Sequence, residues 1–149
     1  MESITSYMQD DHVLIDGIAA RAVAAAESRD WAGLAGEGGE FLRRLRQHIE
    51  IEEEVLFPAF EQRTGMSAGG PSVQMRVEHE QMQPILARMQ QAITAQDAGE
   101  YISASRALFD ILVPHNQKEE QMMYPMLDQA VGEDAPALLV EAKGFSTQG

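Results

Sequence analysis

The chain has 149 residues, the length of one ordinary domain, and its 24 acidic residues against 11 basic ones leave a net charge of −13. It has no cysteine, which excludes disulfides, a cysteine nucleophile, thiolate-bound zinc and a conventional iron–sulfur cluster. The acidic balance argues against nucleic-acid binding, no apolar run approaches the ~20 residues of a membrane span, and Met1–Ser6 lack the features of a secretory signal. We therefore expect one cytoplasmic domain over 1–149, with no nucleic-acid or membrane partner.

Glycine and proline cluster at a few points, and the stretches between them are long and favour helix. Asp30 is a predicted N-cap, and the clearest predicted loop runs from Thr64 to Gly70, with Ser67 near its centre. The predicted helices, in chain order, are Thr5–Ser28, Trp31–Gln62, Pro71–Ala95 and, after a turn at Asp97–Gly99, a stretch that ends near Val131, followed by a short tail helix at Ala135–Ala142. No segment alternates with period two over the length of a strand, so no sheet is expected.

Four prolines lie inside these predicted helices and count against them: Pro58, Pro84, Pro114 and Pro125. Proline has no N–H and removes one backbone hydrogen bond, so each is expected to bend its helix. Pro58 and Pro125 are 67 residues apart.

The same shift of 67 residues superposes the two halves of the chain. All four histidines take part, since His12 falls on His79 and His48 falls on His115. Further matching pairs are Glu52 with Glu119, Glu53 with Glu120, and Phe57 with Tyr124. Each half therefore reads His and, 36 residues later, His-x-x-x-Glu, a pattern that predicts two related helical hairpins.

The spacing of the histidines also predicts their level in the fold. In an antiparallel hairpin, two residues at one level are equidistant from the turn. Residue 30 is the midpoint of His12 and His48, residue 97 is the midpoint of His79 and His115, and both midpoints are predicted turns. We therefore expect an all-α, up-down-up-down antiparallel four-helix bundle over about 5–131, with one histidine per helix at one level and a C-terminal tail over about 132–149.

The helix faces that carry the histidines are otherwise apolar, so the histidines are expected to point into the core. Glu52 and Glu119 lie one turn after His48 and His115 on the same faces. Imidazoles and carboxylates in an apolar core are costly unless they are paired or bound to metal, and two divalent cations would remove that cost.

Neighbouring residues receive no role in the predicted site. Glu53 and Glu120 are expected to turn away from the histidine face into solvent. Tyr7 and Tyr124 lie more than about 120° from their nearest histidines on a helical wheel, so neither is assigned a catalytic role.

His12, His48-x-x-x-Glu52, His79 and His115-x-x-x-Glu119 on four helices resemble the hemerythrin family, specifically its HHE cation-binding branch, over about residues 5–131. The resemblance implies a non-heme di-iron centre with an oxo or hydroxo bridge. One iron would be bound by His12 and His48 and the other by His79 and His115, with Glu52 and Glu119 bridging both. Zinc or manganese would also suit such ligands. Ferritin-like di-iron bundles instead need Glu-x-x-His, and no glutamate stands three residues before any histidine here.

The chain departs from the oxygen carriers of that family at one position. The carriers have a second histidine one turn after the third-helix histidine, where this chain has Gln83, and the residue that matches Gln83 in the first half is Asp16. We expect both to hydrogen-bond around the metals, or Asp16 to be an extra ligand. The two histidines, two bridging glutamates and bridging oxygen that the resemblance implies for each metal leave one open position on that metal. Two open positions favour a peroxide, nitric oxide or oxygen ligand that is shared by the two metals.

Three functions remain open at this point. The first is reaction with oxygen, hydrogen peroxide or nitric oxide in oxidative or nitrosative stress, including a catalase- or peroxidase-like activity. The second is non-enzymatic iron or oxygen sensing, or iron storage or donation, since the ligand order also resembles the C-terminal domain of repair-of-iron-centres proteins. The third is a structural bundle with a stray metal. The expected partner is a small diatomic or peroxide ligand, and no protein partner is predicted.

Overall fold

Four long helical stretches form the predicted up-down-up-down bundle. The computed structural model describes residues 2–66 and 68–146, so that Met1, Ser67 of the predicted loop and 147–149 of the predicted tail lie outside the described residues. The helices are α1 (Ile4–Glu27), α2 (Trp31–Ile51), a π-helical turn (Glu52–Leu56), α3 (Phe57–Thr64), α4 (Pro71–Ala95), α5 (Ala98–Lys118), a second π-helical turn (Glu119–Met123), α6 (Tyr124–Val131), a 3₁₀ turn (Gly132–Asp134) and α7 (Ala135–Ser146). No strand occurs within the described ranges, and none of their helices is long and apolar enough to cross a membrane.

The two hairpin turns have the same construction. Asp30 caps α2 by accepting a hydrogen bond from the Gly33 N–H at 3.0 Å, and Asp97 caps α5 by accepting one from the Glu100 N–H at 3.0 Å. The residue before each cap has a left-handed backbone, with φ of 57° at Arg29 and 55° at Gln96. The 67-residue repeat therefore extends to the backbone conformation of the two turns. With the turns at these positions, the two histidines of each hairpin lie at one level.

The second bundle helix contains a π turn that begins at Glu52, and the fourth contains one that begins at Glu119. The Phe57 N–H bonds to the Glu52 carbonyl, and the Tyr124 N–H bonds to the Glu119 carbonyl, which are i→i+5 bonds. Each π turn is followed by a helix with a proline in its first turn, Pro58 in α3 and Pro125 in α6. A regular α-helix running through these positions would need a backbone N–H that proline lacks. The prolines inside α4 and α5 likewise do not end those helices.

The apolar core is split in two by the level at which the histidines lie. One cluster fills the bundle between the histidines and the hairpin turns, and Phe41, Leu86 and Leu108 are fully buried in it. The other fills the opposite end, with Met8 and Phe60 fully buried. The polar layer between them is therefore sealed from bulk water above and below.

The C-terminal segment covers one side of the second cluster. Gly132 has φ 52°, a backbone that favours glycine, and it turns the chain back after α6. Leu139 and Ala142 of α7 are buried, and the Gln47 side chain donates a hydrogen bond to the Phe145 carbonyl at 2.7 Å. The predicted tail helix is confirmed, but it runs to Ser146 instead of ending at Ala142.

Candidate metal centre

The four histidines meet inside the bundle in two facing pairs. The Nε2 atoms of His12 and His48 are 3.0 Å apart, and those of His79 and His115 are 3.2 Å apart. All four side chains are at most 4% exposed. The equal heights inferred from the hairpin midpoints are therefore reproduced, and the pairs are those expected from the sequence.

The other ring nitrogen of every histidine contacts a carboxylate from a neighbouring bundle helix. The Nδ1–carboxylate distances are 2.6 Å for His48 with Asp11, 2.7 Å for His79 with Glu53, 2.8 Å for His115 with Glu78 and 2.6 Å for His12 with Glu120. We call these four contacts the carboxylate ring, because they join each bundle helix to the next around the whole circumference. A carboxylate at Nδ1 makes that nitrogen the N–H donor and leaves the Nε2 lone pair free to bind a metal.

Two glutamates lie at the centre, and each contacts both histidine pairs. Glu119 has Oε1 3.4 Å from His12 Nε2 and Oε2 3.2 Å from His115 Nε2. Glu52 has Oε1 3.1 Å from His79 Nε2 and Oε2 3.9 Å from His48 Nε2. Both carboxylates are fully buried.

The donor chemistry of this centre fits divalent cations. When the imidazoles are neutral, the carboxylate ring leaves two Nε2 lone pairs facing each other in each histidine pair, with no proton between them. Among the described residues, the only fully buried side-chain polar atoms without a hydrogen-bond partner are Glu52 Oε1 and Glu119 Oε2. Unpaired buried acceptors are costly, and a cation between them satisfies all of them together. The ligand-capable groups lie within 4.8 Å of one another in two clusters, one around each histidine pair.

The wheel-based assignment of Tyr124 as remote from the histidines was wrong. Its hydroxyl donates a hydrogen bond to Glu52 Oε2 at 2.7 Å and lies 2.9 Å from Glu119 Oε1. The π turn is the reason, because it brings residues five apart, such as Glu119 and Tyr124, onto the same face of the helix.

The assignment of Glu53 and Glu120 to solvent was wrong as well, since both belong to the carboxylate ring. The missed signal was the same 67-residue shift, which also superposes Asp11 on Glu78, the residues just before His12 and His79. Asp16 and Gln83, which were expected to hydrogen-bond around the metals, have exposed side chains. The Nδ1 atoms of the four histidines contact the ring carboxylates instead.

The central charges shift the pKa values of the buried groups. Burial alone lowers the pKa of His12, but Glu119 and Glu120 outweigh it and raise the pKa to about 9. The pKa of His115 is also about 9, where burial opposes and Glu119 and Glu52 raise it. Burial and the neighbouring Glu119 raise the pKa of Glu52. Without metal, the centre thus holds protons on its histidines at neutral pH.

This proton binding predicts the pH dependence of the metal-free protein. The pKa values of His12 and His115 are raised from 6.5 to about 9, so their contribution is complete below pH 6.5 and is lost as the pH rises through 9. We expect chelator-treated protein to lose a few kcal/mol of unfolding free energy between pH 6 and pH 9.5, measured by urea denaturation. Metal-loaded protein is the control and should lose less, since metal-bound imidazoles are already neutral. Equal stability of the chelated protein at both pH values would contradict the expectation.

Comparisons with known proteins agree with this centre. The sequence model of the hemerythrin HHE cation-binding domain family matches residues 3–127. Proteins named iron-sulfur cluster repair protein YtfE, from Yersinia pestis (strain Pestoides F) and Yersinia pseudotuberculosis (strain YPIII), are each 29% identical over 103 residues, which cover 62% of this chain and 46% of theirs. The chain therefore matches about half the length of these relatives. No solved structure gives a significant match.

Proposed function

The chain belongs to the hemerythrin family of HHE cation-binding domains, and from that premise we propose that it holds two iron ions and reacts with oxygen, hydrogen peroxide or nitric oxide. The observation that carries the proposal is the pair of facing Nε2–Nε2 contacts at 3.0 and 3.2 Å, with two buried carboxylates between them. No hydrogen-bonding scheme of neutral imidazoles satisfies all of these acceptors, whereas two cations do.

The proposed ligands follow from the distances. One iron would be held by His12 and His48, and the other by His79 and His115. Glu52 and Glu119 would bridge, because each carboxylate turns one oxygen toward each histidine pair. The carboxylate ring would fix the imidazole orientations and increase their basicity.

Burial supports a small reactant. The six proposed ligands are at most 4% exposed, and apolar clusters close the layer on both sides. Iron would supply one-electron redox chemistry and a binding position for a small oxygen or nitrogen ligand. The protein would orient the ligands and exclude water, so that diatomic molecules and peroxide suit the site better than larger substrates.

Iron donation is the second candidate. It is favoured by the name of the Yersinia relatives, which are called iron-sulfur cluster repair proteins. In that role, the domain would release its iron after reaction instead of turning over with the iron retained.

Anaerobic ferrous loading separates the two functions. We expect about two irons per chain, and consumption of hydrogen peroxide or nitric oxide at a rate well above that of chelator-treated protein, followed with electrodes and by optical spectroscopy. Iron that stays bound after several turnovers supports the reactive role. Loss of iron to a coloured chelator during the first turnover supports donation. A loaded protein that reacts with none of the three small molecules contradicts the first proposal, and zinc or manganese found in purified protein contradicts iron.

A further inference from the structure

The two halves of the centre differ in the aromatic residue at one repeat-related position. Phe57 and Tyr124 are 67 residues apart and follow the central glutamates by five residues. The Phe57 ring stacks on His79, with centroids 5.7 Å apart and planes 18° from parallel. The Tyr124 ring lies 5.8 Å from His12 and adds a hydroxyl that Phe57 lacks. The centre therefore has one phenol, on one side.

The phenol oxygen lies among the donor atoms of the first histidine pair. Tyr124 Oη is 3.3 Å from the Nε2 atoms of both His12 and His48. It is 2.7 Å from Glu52 Oε2 and 2.9 Å from Glu119 Oε1. Neighbouring corners of an octahedron with metal–ligand bonds of about 2.1 Å are about 3 Å apart. The hydroxyl therefore has the spacing of a fifth donor in the same set, which the second pair does not have.

Burial alone does not put a tyrosine in this position. Tyr101 is equally inaccessible, but it lies within the apolar cluster near the hairpin turns. Tyr124 is the tyrosine whose hydroxyl faces four ligand-capable atoms at once, in the half of the centre that contains His12 and His48. At this position the hydroxyl offers an oxygen donor atom, which the aromatic ring alone would not supply.

We propose that the phenol oxygen of Tyr124 binds the metal held by His12 and His48, so that the open position for a small ligand lies on the metal held by His79 and His115. This inference rests on the two-metal function proposed above. On coordination the phenol O–H bond breaks, the oxygen binds the metal, and the proton passes to solvent, as do other protons displaced by metal binding. The two metals thereby become chemically different, and only one of them faces exogenous ligands.

The direct test is the ferric-loaded Tyr124→Phe variant. Phenylalanine occupies the equivalent position 57, so the ring is expected to pack without its hydroxyl. Ferric phenolate coordination produces a visible charge-transfer band and resonance-enhanced tyrosine ring modes, which imidazole and carboxylate ligands do not. We expect both signals in the wild type, their complete loss in Tyr124→Phe with two irons retained, and no change in the matched control Tyr101→Phe.

Two further measurements test the asymmetry. Phe57→Tyr places a second phenol at the repeat-related position, and we expect the ring-mode intensity to increase up to twofold. Azide, used as a probe of open positions, should bind once per wild-type chain and twice per Tyr124→Phe chain. Equal azide stoichiometry in these two proteins overturns the inference.

The outcomes also separate the two proposals. A wild-type chain that holds two irons but shows no phenolate signal, or a Tyr124→Phe chain that keeps the signal, overturns the phenol ligand and leaves the di-iron function standing. A wild-type chain that takes up no metal overturns both.

Discussion

Glu119→Ala is expected to empty both metal positions together. The two oxygens of Glu119 lie 3.4 Å from His12 Nε2 and 3.2 Å from His115 Nε2, one toward each histidine pair, and the side chain is fully buried. Its removal takes one oxygen from each proposed metal, and it takes one negative charge that the two metals share. We expect metal content to fall from about two ions per chain to less than half an ion, measured by elemental analysis after loading and desalting.

The neighbouring residue provides the matched control. Glu120 contacts Nδ1 of His12 at 2.6 Å and is 33% exposed, so it holds a ring in place without facing the centre. Glu120→Ala should keep both ions and weaken metal binding by about 10–100-fold, the usual effect of losing a hydrogen bond behind a metal ligand. Two ions retained by Glu119→Ala would contradict the bridging role.

Removal of the metal is expected to have the largest effect on stability. A ligand present at 1,000 times its Kd adds about 4 kcal/mol to the unfolding free energy, so two such ions add about 8 kcal/mol. For a domain of this size, that corresponds to roughly 20 °C in Tm. We expect a fall of this order when a strong chelator is added to loaded protein, measured by scanning calorimetry.

The Glu119→Ala variant controls for direct effects of the chelator. Its Tm should already be low and should not move further when chelator is added. The same Tm for loaded and chelated wild type would mean that the buried histidines and glutamates are balanced without metal, and the proposed centre would then be wrong.

The sequence was sufficient for the helices and for the level of the centre. Asp30 is a good N-cap, Pro71 suits a first helical turn, and Gly65 with Gly69 interrupts the long pattern, so the starts of α2 and α4 were predicted correctly. The last bundle helix begins earlier than expected, at Ala98, inside the predicted turn. The histidine spacing then needed only the midpoint rule. The helix starts depend on local residue preferences, and the level of the histidines depends on residue spacing. A single sequence contains both kinds of information.

The residues around the histidines were predicted poorly, for two geometric reasons. A helical wheel advances by about 100° per residue, and that advance does not hold through a π turn. Glu53, Glu120 and Tyr124 lie in or just after the π turns and were therefore placed on the wrong face. Asp11 and Glu78 were overlooked because their partners are on other helices, and such contacts exist only after the helices have packed.

The carboxylate ring divides unevenly between the two hairpins. Asp11 to His48 and Glu78 to His115 are links within one hairpin, whereas Glu53 to His79 and Glu120 to His12 cross between hairpins. In one hairpin by itself, one histidine would have its ring carboxylate, while the other histidine and one ring glutamate would have no partner. A second hairpin facing the first supplies a partner for each of these two residues. Each hairpin thus completes the other through the same pair of contacts, as the two subunits of a symmetric dimer would. Because both hairpins belong to one chain, position 57 and its counterpart 124 carry different residues, which an assembly of identical copies would not allow.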